Sequence, residues 1–210
     1  MTPDHTWHMG QPNALLDRIY DHLRSSVNRR LVRFLSRHLV RRTHRPCTLE
    51  AGCGTALASS ILGRDQNAAA VCIDHDVRPL QLARTRDPSL LAVVADATRL
   101  PFCDDAIDLV FSSSTLEHLP DPRAAVAEMR RVCRTAGHVF VGVPYRFGPL
   151  AFQPWIASTA IGQWLGPVFS HRKLRTLLVA AGLTPVARLV YFCRFFVGIV
   201  AVKRAGIVPT

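Results

Sequence analysis

Leu49-Glu50-Ala51-Gly52-Cys53-Gly54-Thr55-Ala56 decides how this chain is read. It follows a short β-rich run, Cys47–Ala51, and opens a helical stretch near Ala56–Leu62. Glycines at 52 and 54 let the backbone turn sharply and approach a ligand, and the helix start beyond them offers free N–H groups. Asp74 ends the next apolar run, Ala69–Asp74, twenty residues after Gly54. An acid there can accept hydrogen bonds from both hydroxyls of a ribose. Asp96 ends a third run, Leu91–Ala95, where a carboxylate suits an adenine amino group. The local reading is one nucleoside-sized ligand lying across three consecutive strand ends, at the carboxyl edge of a sheet. A dinucleotide fingerprint would need glycine at 57, where the chain has Leu57, and this counts against NAD or FAD.

The pattern continues outward as strand and helix in alternation. Further strand-like runs are Ile107–Ser112 and His138–Val143; further helices lie near Arg78–Thr85, Pro122–Cys133 and His171–Ala181. Asp121 before Pro122 marks a helix start, and Gly137 and Gly182 mark stops. Such alternation implies an α/β fold, a parallel sheet covered by helices on both faces. The end departs from it: Pro185–Phe192 and Phe195–Val202 adjoin with little between them, as in a β-hairpin that adds one antiparallel strand.

Residues 47–145 resemble the class I S-adenosylmethionine-dependent methyltransferases, most closely the branch typified by ubiquinone/menaquinone and other small-molecule methyltransferases. The resemblance rests on 49–55, on Val-Cys-Ile-Asp at 71–74, on Ala-Asp-Ala-Thr-Arg-Leu-Pro-Phe at 95–102 and on Ile-Asp-Leu-Val-Phe-Ser-Ser-Ser at 107–114. Leu-Glu-His-Leu at 116–119 and the Met129–Val143 helix-turn-strand extend it, and Ser170–Leu183 looks like the family's late helix. It implies a Rossmann-like sheet of seven strands, six parallel and one antiparallel, and S-adenosyl-L-methionine as cofactor. It also implies roles. Glu50, Gly52 and Gly54, with Cys53 between them, would line the methionine part. Asp74, with His75 beside it, would bind the ribose; Asp96 and the Ala97 backbone would take the adenine. Ser112 and Ser113 would close over the cofactor. Ala56 departs from the family, which usually has a third glycine there.

Methyl transfer from a sulfonium is an in-line displacement, so the protein mainly holds the reactants in line and excludes water. If a general base is needed, His118 is the candidate, with Glu117 expected to point away; Tyr145 is the candidate for the acceptor pocket. The acceptor side falls on a basic amphipathic helix, 13–45, and an insertion, 146–170. The insertion has a charge-free stretch bearing Trp155 and Trp164 that suits an apolar small-molecule acceptor, such as a quinone or a lipid. Residues 171–204 form the late helix and the hairpin, so one domain covers the chain.

The 210 residues carry 26 Lys+Arg, 15 Asp+Glu and a net charge of +11. No acid follows Glu128, so residues 129–210 are wholly basic, and the 13–45 helix is rich in arginine. Such asymmetry points to an anionic membrane surface or a polyanion. Nucleic acid is the lesser alternative, because the fourth run ends Phe111-Ser112-Ser113-Ser114 and not in a base-flipping Asn-Pro-Pro-Tyr motif. A non-catalytic cofactor-binding module is another. The six cysteines show no Cys-x-x-Cys spacing and read as buried reduced thiols of a cytoplasmic protein, with no metal site. The expected place of action is the cytoplasm or the inner face of its membrane. Acceptor identity and oligomeric state stay open.

Overall fold

A computed structural model describes residues 28–39, 45–149 and 167–206. A helix over 28–36 (α1) precedes β1 (Cys47–Ala51), α2 (Leu57–Gln66), β2 (Ala69–Asp74), α3 (Val77–Arg86) and β3 (Leu91–Val94). Then come β4 (Ile107–Ser113), a 3-10 turn (Leu116–His118), α4 (Pro122–Val132), β5 (Cys133–Pro144), α5 (His171–Ala180), β6 (Leu183–Tyr191) and β7 (Phe196–Lys203). The strands form one sheet in the order β3-β2-β1-β4-β5-β7-β6. β7 lies antiparallel to both β5 and β6, and the other recorded pairings are parallel. The expected arrangement of six parallel strands and one antiparallel is therefore the observed one.

Alternation along each strand builds two cores. Leu49, Val71, Ile73, Val110, Val139 and Val141 share one with Val126 and Met129 of α4 and Leu174 and Leu178 of α5. Leu109, Phe111 and Phe140, on the opposite face, pack with Leu31, Val32 and Leu35 of α1 and Ile61 and Leu62 of α2. The period-2 pattern of the strands and the period-3.6 pattern of the helices are both satisfied. The apolar side of residues 28–39 is thus spent on the sheet, so this stretch does not offer it to a membrane. Arg29, Arg30, Arg33 and Arg37 remain exposed on the outer side. The remainder of the 13–45 helix, at 13–27 and 40–44, lies outside the described residues, as do 150–166 of the insertion.

Boundaries shift where backbone geometry intervenes. β3 stops at Val94, so Asp96 stands just beyond the strand. α4 ends at Val132, and Gly137 is not its stop. Cys133 turns to φ −69°, ψ 135° and starts β5. The strand then bulges, because Ile107 pairs with Cys133 but Leu109 pairs with His138. A Cβ at Gly137 would lie 2.8 Å from the Arg134 carbonyl and 2.9 Å from that of Asp108, so the glycine serves a close backbone approach. The other punctuation holds: Asp121 Oδ1 accepts from the N–H groups of Arg123 and Ala124, and Gly182 ends α5 at φ 74°. All six cysteines are free, but Cys103 and Cys193 are exposed, against the expectation of burial. Among the described residues no cluster of His, Cys, Asp and Glu could hold a metal ion, and no helix is long and apolar enough to cross a membrane.

Candidate active site

The glycine loop folds back over β2: the N–H groups of Gly52 and Cys53 both donate to the Ile73 carbonyl, at 3.0 and 2.9 Å. Gly52 adopts φ +71°, and a Cβ there would lie 2.1 Å from Thr115 Cγ2. Thr115 Oγ1 donates to the Gly52 carbonyl at 3.0 Å, so the turn after β4 is fastened to the loop. Gly54, at φ +50°, has no heavy atom within 4 Å of a Cβ position, and that open side is room for a ligand. Ala56 takes the left-handed conformation (φ 51°) that the usual third glycine would adopt freely. Its fully buried methyl packs with Cys53, Cys72 and Leu80.

Two carboxylates fix this loop. Glu50, buried, accepts at Oε2 from the Ser59 hydroxyl (2.6 Å) and N–H (3.1 Å), tying β1 to α2. Asp74 accepts at Oδ2 from the Gly54 N–H (2.8 Å) and at Oδ1 from the Asp76 N–H (3.1 Å). His75 Nδ1 lies 3.2 Å from Asp74 Oδ1, while its ring faces solvent. A carboxylate has about four lone-pair positions, so Asp74 keeps acceptor capacity for a ribose. Asp96 is exposed and accepts from the Thr98 N–H at 2.8 Å. That bond, then the Thr98 hydroxyl, holds its carboxyl below the usual range. Ala97 is buried in the α4-side core. The Cys53 side chain joins the Cys72 and Leu80 cluster, and its thiol is raised by a hydrogen bond with Cys72 and by burial.

At the end of β4 the two serines part. Ser112 Oγ is buried without a hydrogen-bond partner among the described residues. Ser113 Oγ lies 2.8 Å from the hydroxyl of Tyr191, which is buried and has its phenol pushed up by that burial. Beyond them, the expected orientation is reversed. Glu117, expected to point away, has a wholly buried side chain, while the His118 side chain is 45% exposed. Glu117 Oε1 accepts from Ser114 Oγ at 2.8 Å, and burial pushes its carboxyl up to about 7. Tyr145 stands at the mouth of β5. It is half-buried, its N–H donates to the Phe195 carbonyl at 2.8 Å, and its ring centroid is 5.7 Å from that of Phe147.

Hydrogen bonds therefore join the glycine loop, Asp74 and segment 112–117 into one edge. Asp96 follows the strand beside β2, where Asp74 pairs with Val94. Thr115, Glu117 and Tyr191 are the residues the sequence reading missed. The Glu-His pair in 116–119 was a signal for Glu117; nothing local marks Tyr191.

Residues 49–141 match the family model described as a methyltransferase domain. The chain is 30% identical over 139 residues to a probable S-adenosylmethionine-dependent methyltransferase of Mycobacterium tuberculosis, covering 66% of this chain and 49% of that protein. It is 37% identical over 93 residues to the demethylmenaquinone methyltransferase of Mycobacterium marinum, covering 44% of this chain and 39% of that one. The chain thus spans half or less of the length of these relatives. In fold it is similar to the geranyl diphosphate C-methyltransferase of Streptomyces coelicolor, with TM-score 0.68, 14% identity and coverage of 82% and 78%. Motif order, sheet topology and the domain match agree over residues 49–141, a stretch similar to the class I S-adenosylmethionine-dependent methyltransferases.

Proposed function

We propose that the protein transfers a methyl group from S-adenosyl-L-methionine to a small, hydrophobic acceptor. One observation carries the reading: the open face of Gly54, held over the end of β2 by its N–H bond to Asp74. The residues present fit the cofactor. Asp74 would hold the ribose, Asp96 and the Ala97 backbone the adenine, and Glu50 and Gly52 the methionine end. Bound there, the cofactor supplies a methyl already activated on a sulfonium, and the chain's own task is alignment and exclusion of water. The apolar acceptor is supported by the demethylmenaquinone methyltransferase relative, by Phe147, 60% exposed beside Tyr145, and by the charge-free, tryptophan-bearing stretch that follows.

Calorimetry with S-adenosylmethionine, S-adenosylhomocysteine and NAD tests the cofactor. The first two should bind and NAD should not, and Asp74→Ala should abolish binding. Failure of the first two to bind, or full affinity in the variant, would overturn the reading. Labelled-methyl transfer should reach quinone and lipid extracts and not tRNA or DNA; labelled nucleic acid would move the protein to another substrate class. We place its action in the cytoplasm, with peripheral contact to anionic membrane through Arg29, Arg30, Arg33 and Arg37. Salt-sensitive co-sedimentation with phosphatidylglycerol vesicles, lost on reversing these charges, is the expected outcome; no sedimentation at low salt would refute that placement.

A further inference from the structure

Two buried oxygens at the carboxyl edge have no hydrogen-bond partner among the described residues, Ser112 Oγ and Glu117 Oε2. Glu117 is the more demanding of the two. Its side chain is wholly buried, and hydrogen bonds from its own N–H and from the Ser114 hydroxyl offset only part of the desolvation cost. The other orphans on strands, Thr48 Oγ1 and His138 Nδ1, both lie at the register of Leu109, before the end of β4. Glu117 lies past that end, in a turn held on three sides. Thr115 Oγ1 donates to the Gly52 carbonyl, the Ser114 N–H donates to the Gly142 carbonyl, and Ser113 Oγ meets the Tyr191 hydroxyl of β6. Residues 113–115, just before Glu117, are thereby fastened to the glycine loop, to β5 and to the end of β6, at the carboxyl edge of the sheet.

Resting on the methyltransferase reading above, we propose that Glu117 is a catalytic residue that takes the proton of a hydroxyl-bearing acceptor, a phenol or hydroquinone, at Oε2. In the step, the acceptor oxygen bonds to the methyl carbon and the methyl–sulfur bond breaks with its electron pair going to sulfur. The hydroxyl proton passes to the Glu117 carboxylate and leaves to solvent before the next turnover. The products are a methyl ether and a neutral thioether. An orphaned acceptor in an apolar setting selects a neutral O–H donor. The titratable groups recorded around it are the His118 imidazole, Nε2 at 4.0 Å, and the buried Tyr191 phenol. With its carboxyl raised to about 7 by burial, Glu117 exchanges a proton near neutral pH, where general-base transfer is most effective.

The test uses the full chain, labelled S-adenosylmethionine, 4-heptylphenol and octylamine. Wild type should methylate the phenol with a rate that rises with pH through a midpoint near 7. Glu117→Gln should lower kcat by roughly 10²- to 10⁴-fold, erase that limb and leave cofactor affinity within about twofold. A second readout needs no turnover. At pH 8 Glu117→Gln should melt above wild type, with the gap shrinking toward pH 5, because the variant no longer ionises a buried carboxyl. A structural role would lower the melting temperature instead. Wild-type kcat in the variant, an unchanged pH limb, a lower melting temperature at pH 8, or methylation of octylamine and not the phenol would each overturn the proposal. If the wild type bound no S-adenosylmethionine, the methyltransferase reading would fall and take this inference with it. Binding together with an indifferent Glu117→Gln would overturn this inference alone.

Discussion

At Gly52 and Gly54 one residue type answers two demands. Gly52 is excluded from carrying a side chain by Thr115 as well as by its φ, whereas Gly54 is restrained by φ alone and faces open space. Gly52→Ala should therefore cost stability, on the order of 3 kcal/mol from strain and overlap. Gly54→Ala should cost about 1 kcal/mol, yet weaken cofactor binding more than its stability loss suggests, since its methyl would occupy the ligand's side. Thermal melts paired with calorimetry separate the two. Glu117 sets a pH dependence of opposite sign to the other perturbed carboxyls. Its folded value, about 7, is above its ordinary 4.5. Between these values the folded chain keeps a proton that the unfolded chain releases, so stability falls as pH rises through the window, by on the order of 3 kcal/mol in total. Asp87 and Glu128 are lowered by hydrogen bonds from Ser60 and Arg131, and the stability they contribute is lost only as pH falls below the usual carboxylate range. Urea midpoints from pH 4 to 8 in wild type and Glu117→Gln isolate the Glu117 slope. Which of Glu117 and His118 turns inward was not legible in Leu-Glu-His-Leu. In a one-turn 3-10 segment the choice follows from where the turn is fastened, and Thr115 and Ser114 do that.

Among the elements, α1 shows what periodicity can and cannot say. Leu31, Leu35 and Leu39 at helical spacing announce an apolar side, and each is buried. The same spacing fits a membrane-bound helix, and only the presence of Leu109, Phe111 and Phe140 beneath it settles the matter for 28–39. Leu35→Ala should cost about 3 kcal/mol, since Leu35 is fully buried, while Arg33→Ala should change stability by less than about 0.5 kcal/mol. Chemical denaturation measures both. The Asp121 cap was readable because it is local: its carboxylate accepts from N–H groups two and three residues ahead. The bulge in β5 was not, because Gly137 is required by the Asp108 carbonyl on a neighbouring strand.

For the whole molecule, the charge asymmetry is partly settled inside the fold. Arg131 meets Asp104 and Glu128 at 2.7 and 2.6 Å, Arg134 meets the buried Asp108 at 2.9 Å, and Lys203 meets Asp105 at 3.1 Å. The basic last third is thus packed against the acidic middle, so charge is less segregated in space than along the sequence, while the net +11 is unchanged. Lys203, nearly buried, also donates to the carbonyls of Arg131 and Cys133, closing β7 onto the junction of α4 and β5. Lys203→Met should destabilise by about 3 kcal/mol, because two carbonyls and Asp105 lose their donor. Cofactor affinity should stay unchanged, because this clamp lies at the amino end of β5, the opposite edge from the glycine loop. Denaturation and calorimetry on the variant check both halves.

By itself, the sequence determined the loop type, the alternation of strands and helices, the final hairpin and the edge at which a nucleoside cofactor would sit. These depend on short-range rules: glycine at positive φ, side-chain periods of 2 and 3.6, caps within one turn. Tertiary structure alone decided that Thr115 locks Gly52, that Ser113 meets Tyr191 from 78 residues away, that Glu117 is buried with an unpaired oxygen, and that middle acids and late bases neutralise each other. Each depends on strands distant in sequence lying side by side in the sheet, and burial and electrostatic environment are properties of that assembled neighbourhood.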